Sequence, residues 1–317
     1  MENEVKNFAL EELNLIGNLA VLIDSELTTE TFVDIVEVLK NKQIKFKLIE
    51  VSPNGLNLLD PKIWKGINRV FIAISDQHKL STGYIQAILD ILGLDYTGTG
   101  MLSAALAKDI FKVKKIWQMM GIATTPFIKW KEDFDWQEML GLIGLPMAIK
   151  SLNINEKKVF KVTNLENIDE ILKKFDYSND IIIEPWITGD EYIVYIINET
   201  PLVPIKINST LTSNFNIIST KSHHNQSEEL YNIKNMQKLA LEAFLAIGGQ
   251  GFAEVHILKD VNEDCRVLSI NIGLNLNRNS KFAIAAYEAN IKFEELIEQI
   301  LATSFIKKSC NNLIQLV

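Results

Sequence analysis

Arginine is scarce in this sequence. Only Arg69, Arg266 and Arg278 occur among 317 residues, and acidic residues outnumber basic ones by 40 to 32. Proteins that bind nucleic acid need clustered basic side chains, and arginine makes many of the contacts to base edges. The other basic residues are lysines spread along the chain, as on the solvated faces of helices. The composition therefore argues against a nucleic-acid partner.

Cysteine, glycine, proline and long apolar runs are also scarce. The two cysteines, Cys265 and Cys310, are too few for a disulfide framework or a cysteine-rich zinc site, and they favour a reducing, cytoplasmic compartment. Residues 1–12 lack the basic and then apolar order of a secretion signal. No run of 18 apolar residues exists, so no membrane-spanning helix is expected. With 15 glycines and 7 prolines, collagen-like and low-complexity classes are excluded.

What is present is typical of a globular protein with several domains. Hydrophobic residues make up 47% and charged residues 23% of the chain, and its length suggests two or three domains. In the first third of the chain, continuous apolar runs alternate with segments whose apolar residues have helical spacing. This order predicts a parallel sheet with right-handed crossovers. The elements predicted there are strands over 19–23, 44–51 and 70–74 and helices over 31–39 and 84–92.

The rest of the chain changes from α/β order to α+β order. The predicted helices are 101–107, 109–120, 165–175, 233–245 and 291–301. The predicted strands are 147–150, 159–162, 181–183, 192–197, 202–207, 252–258 and 267–271, and a long polar loop is expected over 209–227. We therefore expect three lobes with boundaries at 1–97, 98–187 and 188–317.

The segment 181–191 is the sharpest local feature, because a buried strand leads into Glu184, an aromatic residue and an acidic turn. In one interpretation it clamps a flat ring: Glu184 accepts a hydrogen bond from an exocyclic amine, the backbone near Ile187 reads the ring edge, and Glu191 holds ribose hydroxyls. In the other it is a strand end with a capping acid and a core tryptophan. Lys150, at the end of another apolar run, either reaches a phosphate or extends into solvent.

Three segments carry a family resemblance. Residues 83–100 begin with GYIQ and end with YTGTG, similar to the pattern G-x-x-Q…Y-T-G-S-G. Residues 104–126 are similar to the pattern A-L-A-M-D-K…W…T-P-P. Residues 183–191, with the sequence IEPWITGDE, are similar to the pattern I-E-K-W-L-S-G-x-E. Together they resemble the D-alanine–D-alanine ligases of the ATP-grasp superfamily, in order from about residue 18 to residue 305.

The resemblance implies a fold and an activity. The fold is an ATP-grasp fold with an N-terminal Rossmann-like parallel-sheet lobe and two ATP-grasp lobes. In the family, ATP phosphorylates the carboxylate of one D-alanine, and the amine of a second attacks the acylphosphate to form a dipeptide for peptidoglycan. Two magnesium ions bridge the phosphates, and the members are homodimers through the first lobe.

The resemblance also implies site residues. Glu184, Trp186, Ile187 and Glu191 form the adenosine pocket, and Lys150 approaches the phosphates. Ile110 stands where the family has a phosphate lysine, and Lys114, one helical turn on, and Lys221, in the long polar loop, are candidates to replace it.

The positions that carry the family's chemistry depart from its pattern. The family's R-x-D reads Glu254-Val255-His256 here, and its E-x-N-x-x-P-G begins at Ser269, so that only Asn271 keeps its metal-ligand type. Magnesium prefers carboxylate oxygens, which argues against a Mg²⁺ site. Losing one donor such as the arginine costs roughly 100- to 1,000-fold in rate. The glycine-rich loop is replaced by residues 153–158, which contain no glycine.

Three functional hypotheses follow. The first is a ligase-like protein that keeps an ATP pocket, has lost metal-dependent ligation and acts by binding, for instance to a cell-wall synthesis protein. The second is a divergent but active ATP-dependent ligase in which Glu254 is a displaced magnesium ligand. The third is a structural dimer without a nucleotide site.

Overall fold

A computed structural model describes most of the chain. The described residues are 18–24, 31–74, 79–131, 135–152, 158–175, 181–207, 216–217, 226–273 and 276–305. Lys221 lies outside these ranges, as do residues 75–78 and residues 153–157 of the stretch that replaces the glycine-rich loop. Among the residues that are described, no helix is long and apolar enough to cross a bilayer.

The first lobe is a four-stranded parallel sheet in the order β2-β1-β3-β4. Its central strand β1 is buried at every residue, as its uninterrupted apolar sequence predicts. The expected alternation of strands and helices is confirmed. The elements are β1 Leu19–Asp24, α1 Thr31–Asn41, β2 Phe46–Val51, β3 Arg69–Ala73, α2 Tyr84–Ile91 and β4 Asp95–Tyr96.

Two helices, α3 Met101–Ala107 and α4 Ile110–Met119, lead out of the first lobe. Asp109 caps α4 by accepting a hydrogen bond from the Lys112 N–H, so the helix begins one residue later than predicted. The indole N–H of Trp117 donates to the carbonyl of Ala243, which anchors α4 on the third lobe.

The second lobe is an antiparallel sheet in the order β5-β8-β6-β7. The helix predicted over 165–175 is shorter, and the sequence interpretation missed α5, which begins where Asp135 accepts a hydrogen bond from the Gln137 N–H. The elements are β5 Ile128–Lys129, α5 Trp136–Leu142, β6 Met147–Ser151, β7 Val159–Val162, α6 Ile168–Leu172 and β8 Ile181–Pro185.

The third lobe is an antiparallel sheet in the order β12-β11-β9-β13-β14, with β10 beside β9. One face packs against α7 and the other against α8, α9 and the first lobe. The prediction of a continuous loop over 209–227 was wrong at two places. Asn216–Ile217 pairs with β11, and α7 already begins at Gln226. The elements are β9 Gly189–Ile197, β10 Thr200–Pro201, β11 Ile205–Ile207, β12 Asn216–Ile217, α7 Gln226–Ala246, β13 Phe252–Asp260, β14 Cys265–Asn271, α8 Lys281–Glu288 and α9 Phe293–Ala302.

The first and third lobes are also joined by polar contacts. Nη1 of Arg69 in β3 donates to the carbonyl and the hydroxyl of Ser304, which lies 235 residues further along the chain. The N–H of Gly98 donates to the Thr303 hydroxyl at 2.8 Å. One apolar core contains residues of both lobes, so the short 3₁₀ turn Thr303–Phe305 completes a packed junction.

Candidate functional site

A buried carboxylate lies between two lysines where β8 ends. Glu184 is 2% exposed at its side chain, and its Oε1 and Oε2 lie 2.8 Å from Nζ of Lys114 and 2.5 Å from Nζ of Lys150. Glu184 and Lys150 lie on adjacent strands of the second lobe, and Lys114 comes from α4. The fold thus brings together three residues that the sequence analysis had nominated separately.

Lys114 is held on several sides. Its side chain is 2% exposed, and its ammonium donates to the hydroxyls of Thr125 at 2.5 Å and Thr124 at 3.0 Å. The Thr124 hydroxyl in turn donates to the carbonyl of Val267 in β14. The structure therefore places Lys114 beside a carboxylate and two threonines, where it links the second lobe to the third. Thr125 belongs to the segment that resembles T-P-P, but neither threonine was predicted to contact this lysine, because only the fold brings them together.

The electrostatics of the cluster favour an ionised Glu184. Burial raises the pKa of the Glu184 carboxyl, but the charges and hydrogen bonds of Lys114 and Lys150 outweigh it, and the pKa lies below its ordinary value. Burial lowers the pKa of Lys114, an effect that Glu184 partly offsets and Lys150 adds to. The cluster places two basic side chains against one carboxylate. It therefore suits a ligand that brings negative charge.

The hinge between β8 and β9 follows this cluster. The N–H of Trp186 donates to the carbonyl of Pro146 at 2.9 Å, and the Lys161 ammonium lies 4.8 Å from the centre of the Trp186 ring. Ile187 is half-buried on the hinge, and Glu191 is exposed near the start of β9. Trp186 is therefore fixed through its backbone and its ring face, rather than being a fully buried core residue.

Gly189 is required where the hinge enters β9. A Cβ atom at this position would lie 2.2 Å from the backbone carbonyl oxygen of Lys259 in β13. Backbone cannot move aside as the end of a flexible side chain can, so the close approach of β9 to β13 depends on glycine at this position.

A second polar cluster occupies the face of the third sheet that packs toward the first lobe. Strand register pairs Glu254 with Asn271 and His256 with Ser269, so the four positions identified by resemblance are neighbours. Oε1 of Glu254 lies 2.6 Å from Nε2 of His256, and the Tyr195 hydroxyl donates to Oε2 at 3.0 Å. Sequence analysis missed Tyr195, although the pairing of β9 with β13 places it directly opposite Glu254.

Glu254 is stabilised as a carboxylate by these partners. Burial raises its pKa, but the hydrogen bonds from His256 and Tyr195 and the charge of Lys281 outweigh burial and lower it. Burial and the neighbouring Glu254 raise the pKa of Tyr195, so it remains a hydrogen-bond donor. Tyr195 is also stacked on Phe282 of α8 at 4.7 Å. Glu254 thus has protein partners on both oxygens.

These residues do not fit the magnesium ions that the family resemblance implies. Magnesium takes hard oxygen ligands, and carboxylates usually anchor it. Glu254 is engaged by His256 and Tyr195, while Oδ1 of Asn271 accepts the N–H of Gly273 at 3.2 Å. Within the described ranges, no three histidine, cysteine, aspartate or glutamate side chains come together as a metal site would need.

A small cavity of about 30 Å³ lies between the first and third lobes. Gln86 of α2 lines it with a side chain whose Oε1 is buried and has no hydrogen-bond partner among the described residues. The remaining wall is mainly apolar and includes Ile85, Phe252 and Leu276. A buried acceptor without a donor is costly, so the Gln86 amide is a local weak point.

Comparisons with known proteins give a consistent result. The family model described as D-ala D-ala ligase C-terminus matches residues 116–302, more than half of the chain. The D-alanine–D-alanine ligase of Psychrobacter sp. (strain PRwf-1) is 29% identical over 251 residues, covering 75% of this chain and 74% of the relative. That of Nitrosomonas eutropha (strain DSM 101675 / C91 / Nm57) is 28% identical over 303 residues, covering 91% and 97%. The solved D-alanine–D-alanine ligase from Bacillus anthracis complexed with ATP has a TM-score of 0.77 at 20% identity, covering 91% of this chain and 97% of its own.

Proposed function

Because the chain belongs to the D-alanine–D-alanine ligase family and has its ATP-grasp fold, we propose that it binds an adenine nucleotide at the hinge that follows Glu184. We further propose that it does not catalyse magnesium-dependent ligation. Its role in peptidoglycan precursor synthesis is then one of binding, to a nucleotide and to a cell-wall synthesis protein. A cytoplasmic location, where ATP is available, is part of the proposal.

The contrast between the two polar clusters carries the proposal. At the hinge, an ionised buried carboxylate and two lysines give the charge that a nucleotide needs. At the positions where the family binds metal, both carboxylate oxygens of Glu254 are hydrogen-bonded, one to His256 and one to Tyr195. The position where the family has an arginine for the reacting oxygens is occupied by Glu254. These observations support nucleotide binding and argue against ligation.

The proposed nucleotide contacts follow from the hinge geometry. Glu184 accepts a hydrogen bond from the exocyclic amine, the backbone at Ile187 reads the ring edge, and Glu191 holds the ribose hydroxyls. Lys150 meets the phosphates. Lys221 remains a proposed further phosphate contact.

We also propose a homodimer through the first lobe. Helix α2 supports it with Tyr84 and Ile91, which are 62% and 85% exposed and lie on the same side of the helix at a spacing of seven residues. Exposed large apolar side chains that lie together favour a protein contact. Sedimentation at micromolar concentration tests the dimer, and Tyr84→Ser with Ile91→Ser should give monomers.

Calorimetric titration with ATP and ADP, with and without Mg²⁺, tests the nucleotide proposal. We expect binding whose affinity changes little when Mg²⁺ is removed, and phosphate release that does not increase when D-alanine is added. Glu191→Gln should weaken ATP binding severalfold, whereas Glu199→Gln, which is exposed in the turn between β9 and β10, should not. The absence of any nucleotide binding would favour the purely structural dimer.

A divergent active ligase is the second candidate. Glu254 favours it in one respect, because it keeps an ionised carboxylate, 20% exposed, on the sheet face where the family binds metal. This candidate requires ATP binding that depends strongly on Mg²⁺ and phosphate release that depends on D-alanine or another amino acid. Those two results together would overturn the binding-only proposal.

A further inference from the structure

The two lysines that contact Glu184 are not equivalent. The Lys114 side chain is 2% exposed and is also held by two threonine hydroxyls, whereas the Lys150 side chain is 30% exposed. Within the described part of the chain, the Lys150 ammonium has one polar partner, the Glu184 carboxylate. Lys150 can therefore leave the carboxylate for solvent or a ligand, and Lys114 cannot leave without exposing buried hydroxyls.

Lys150 occupies the side of Glu184 from which a ligand approaches. The carboxylate itself is 2% exposed, and of its two partners only Lys150 reaches the surface. A base amine that donates to Glu184 must compete with an ammonium 2.5 Å from Oε2. Charge-assisted hydrogen bonds of this kind are about twice as strong as neutral ones, so an uncharged amine competes poorly.

We propose that Lys150 is an exchangeable partner of Glu184, which covers the base-reading carboxylate in the free chain and moves to the phosphates when a nucleotide binds. The phosphates thereby make Glu184 available to the base, and recognition of the two ends of the ligand is coupled. Lys114 stays in place and keeps Glu184 ionised. The inference rests on the proposed function, because it takes the hinge as the nucleotide site.

Binding of adenosine, inorganic triphosphate and ATP to the wild type and to Lys150→Met tests the exchange. For adenosine, which has no phosphate, the variant should bind about 5-fold more tightly than the wild type, because Glu184 is uncovered. For ATP, the variant should bind at least about 10-fold more weakly, because a phosphate contact is lost. The opposite signs are the distinctive result, since a variant with a damaged site would bind both ligands more weakly.

A measurement on the unaltered chain makes the test independent of the variant's folding. Inorganic triphosphate should strengthen adenosine binding to the wild type severalfold, because it attracts Lys150 away from Glu184. In Lys150→Met this enhancement should disappear. Lys150→Arg, which keeps the charge, should retain part of it, and Lys238→Met, which removes an exposed lysine of α7, should retain all of it.

The outcomes separate this inference from the proposed function. A wild type that binds ATP, but whose adenosine affinity changes with neither triphosphate nor Lys150→Met, overturns the exchange and leaves the nucleotide site standing. Weaker adenosine binding in Lys150→Met, with a native unfolding curve, also overturns it. A wild type that does not bind ATP overturns both.

Discussion

The substitution Lys114→Met tests whether the buried ion pair stabilises the fold. Methionine keeps a flexible unbranched side chain and removes the charge that faces Glu184. Breaking a buried ion pair by removing one partner costs about 3–5 kcal/mol. We expect the lower end, about 3 kcal/mol, because Lys150 remains 2.5 Å from the carboxylate and compensates its charge in part.

Urea unfolding followed by tryptophan fluorescence measures this loss. Trp117 lies on the same helix as Lys114 and is fully buried, so its exposure on unfolding contributes to the emission change of the five tryptophans. Lys238→Met is the matched control, because its ion pair with Glu242 is exposed and 3.7 Å long, and it should change the free energy of unfolding by less than about 1 kcal/mol.

A double variant checks that the loss comes from the charge pair. Glu184→Gln alone leaves the Lys114 ammonium buried without its counter-charge. Adding Lys114→Met should therefore recover at least about 1 kcal/mol relative to Glu184→Gln, a non-additive result typical of contacting residues. The reasoning is refuted if Lys114→Met matches the control, or if the two single losses simply add.

Three further predictions concern other features. Gln86→Met should raise the free energy of unfolding by about 1 kcal/mol in thermal or urea unfolding, because it removes a buried acceptor for which the described residues supply no donor. A loss of stability would mean that the amide is satisfied in solution. Gly189→Ala should lower the free energy of unfolding by at least about 1 kcal/mol, because the new Cβ meets backbone. Gly141→Ala in α5 should be neutral or stabilising, because its Cβ would have no described atom within 4 Å. Because the pKa of Glu254 is lower in the folded state, its contribution to stability is present above about pH 4.5 and is lost as the pH falls through the folded value. Glu254→Gln should therefore lose less stability than the wild type between pH 6 and pH 3, and equal losses would contradict the assignment.

The elements that the sequence predicted well have an apolar or capping pattern that lies entirely within the element and its immediate neighbours in sequence. The apolar run of β1 is buried on both faces and needs no knowledge of its partners. Helix α3 begins at Met101 and ends at Ala107, as its position after Gly100 predicts. By contrast, the short helix α5 depends on the Asp135 cap, and its apolar pattern alone is too brief to separate it from a loop.

The residues of the Glu184 cluster could be nominated from the sequence, but their arrangement could not. Glu184 and Lys150 could be nominated because each ends a buried run, yet their contact results from the antiparallel register of β6 and β8. Lys114 was a candidate phosphate contact because it lies one helical turn after Ile110, where the family that the chain resembles has a phosphate lysine. Its threonine partners are ten and eleven residues away, beyond the end of that helix, and only the tertiary fold brings them together. Contacts of this kind are not encoded in local spacing.

The bond between Arg69 and Ser304 has a consequence for the order of events during synthesis. The two residues are 235 positions apart, and at roughly 5–20 residues per second the ribosome needs about 10–50 s to reach the second after making the first. Through that interval the guanidinium of β3 lacks its hydroxyl and carbonyl acceptors, and the apolar junction shared with α9 is open. The first lobe therefore cannot complete its packing against the third until residues 303–305 have been synthesised and have left the ribosome.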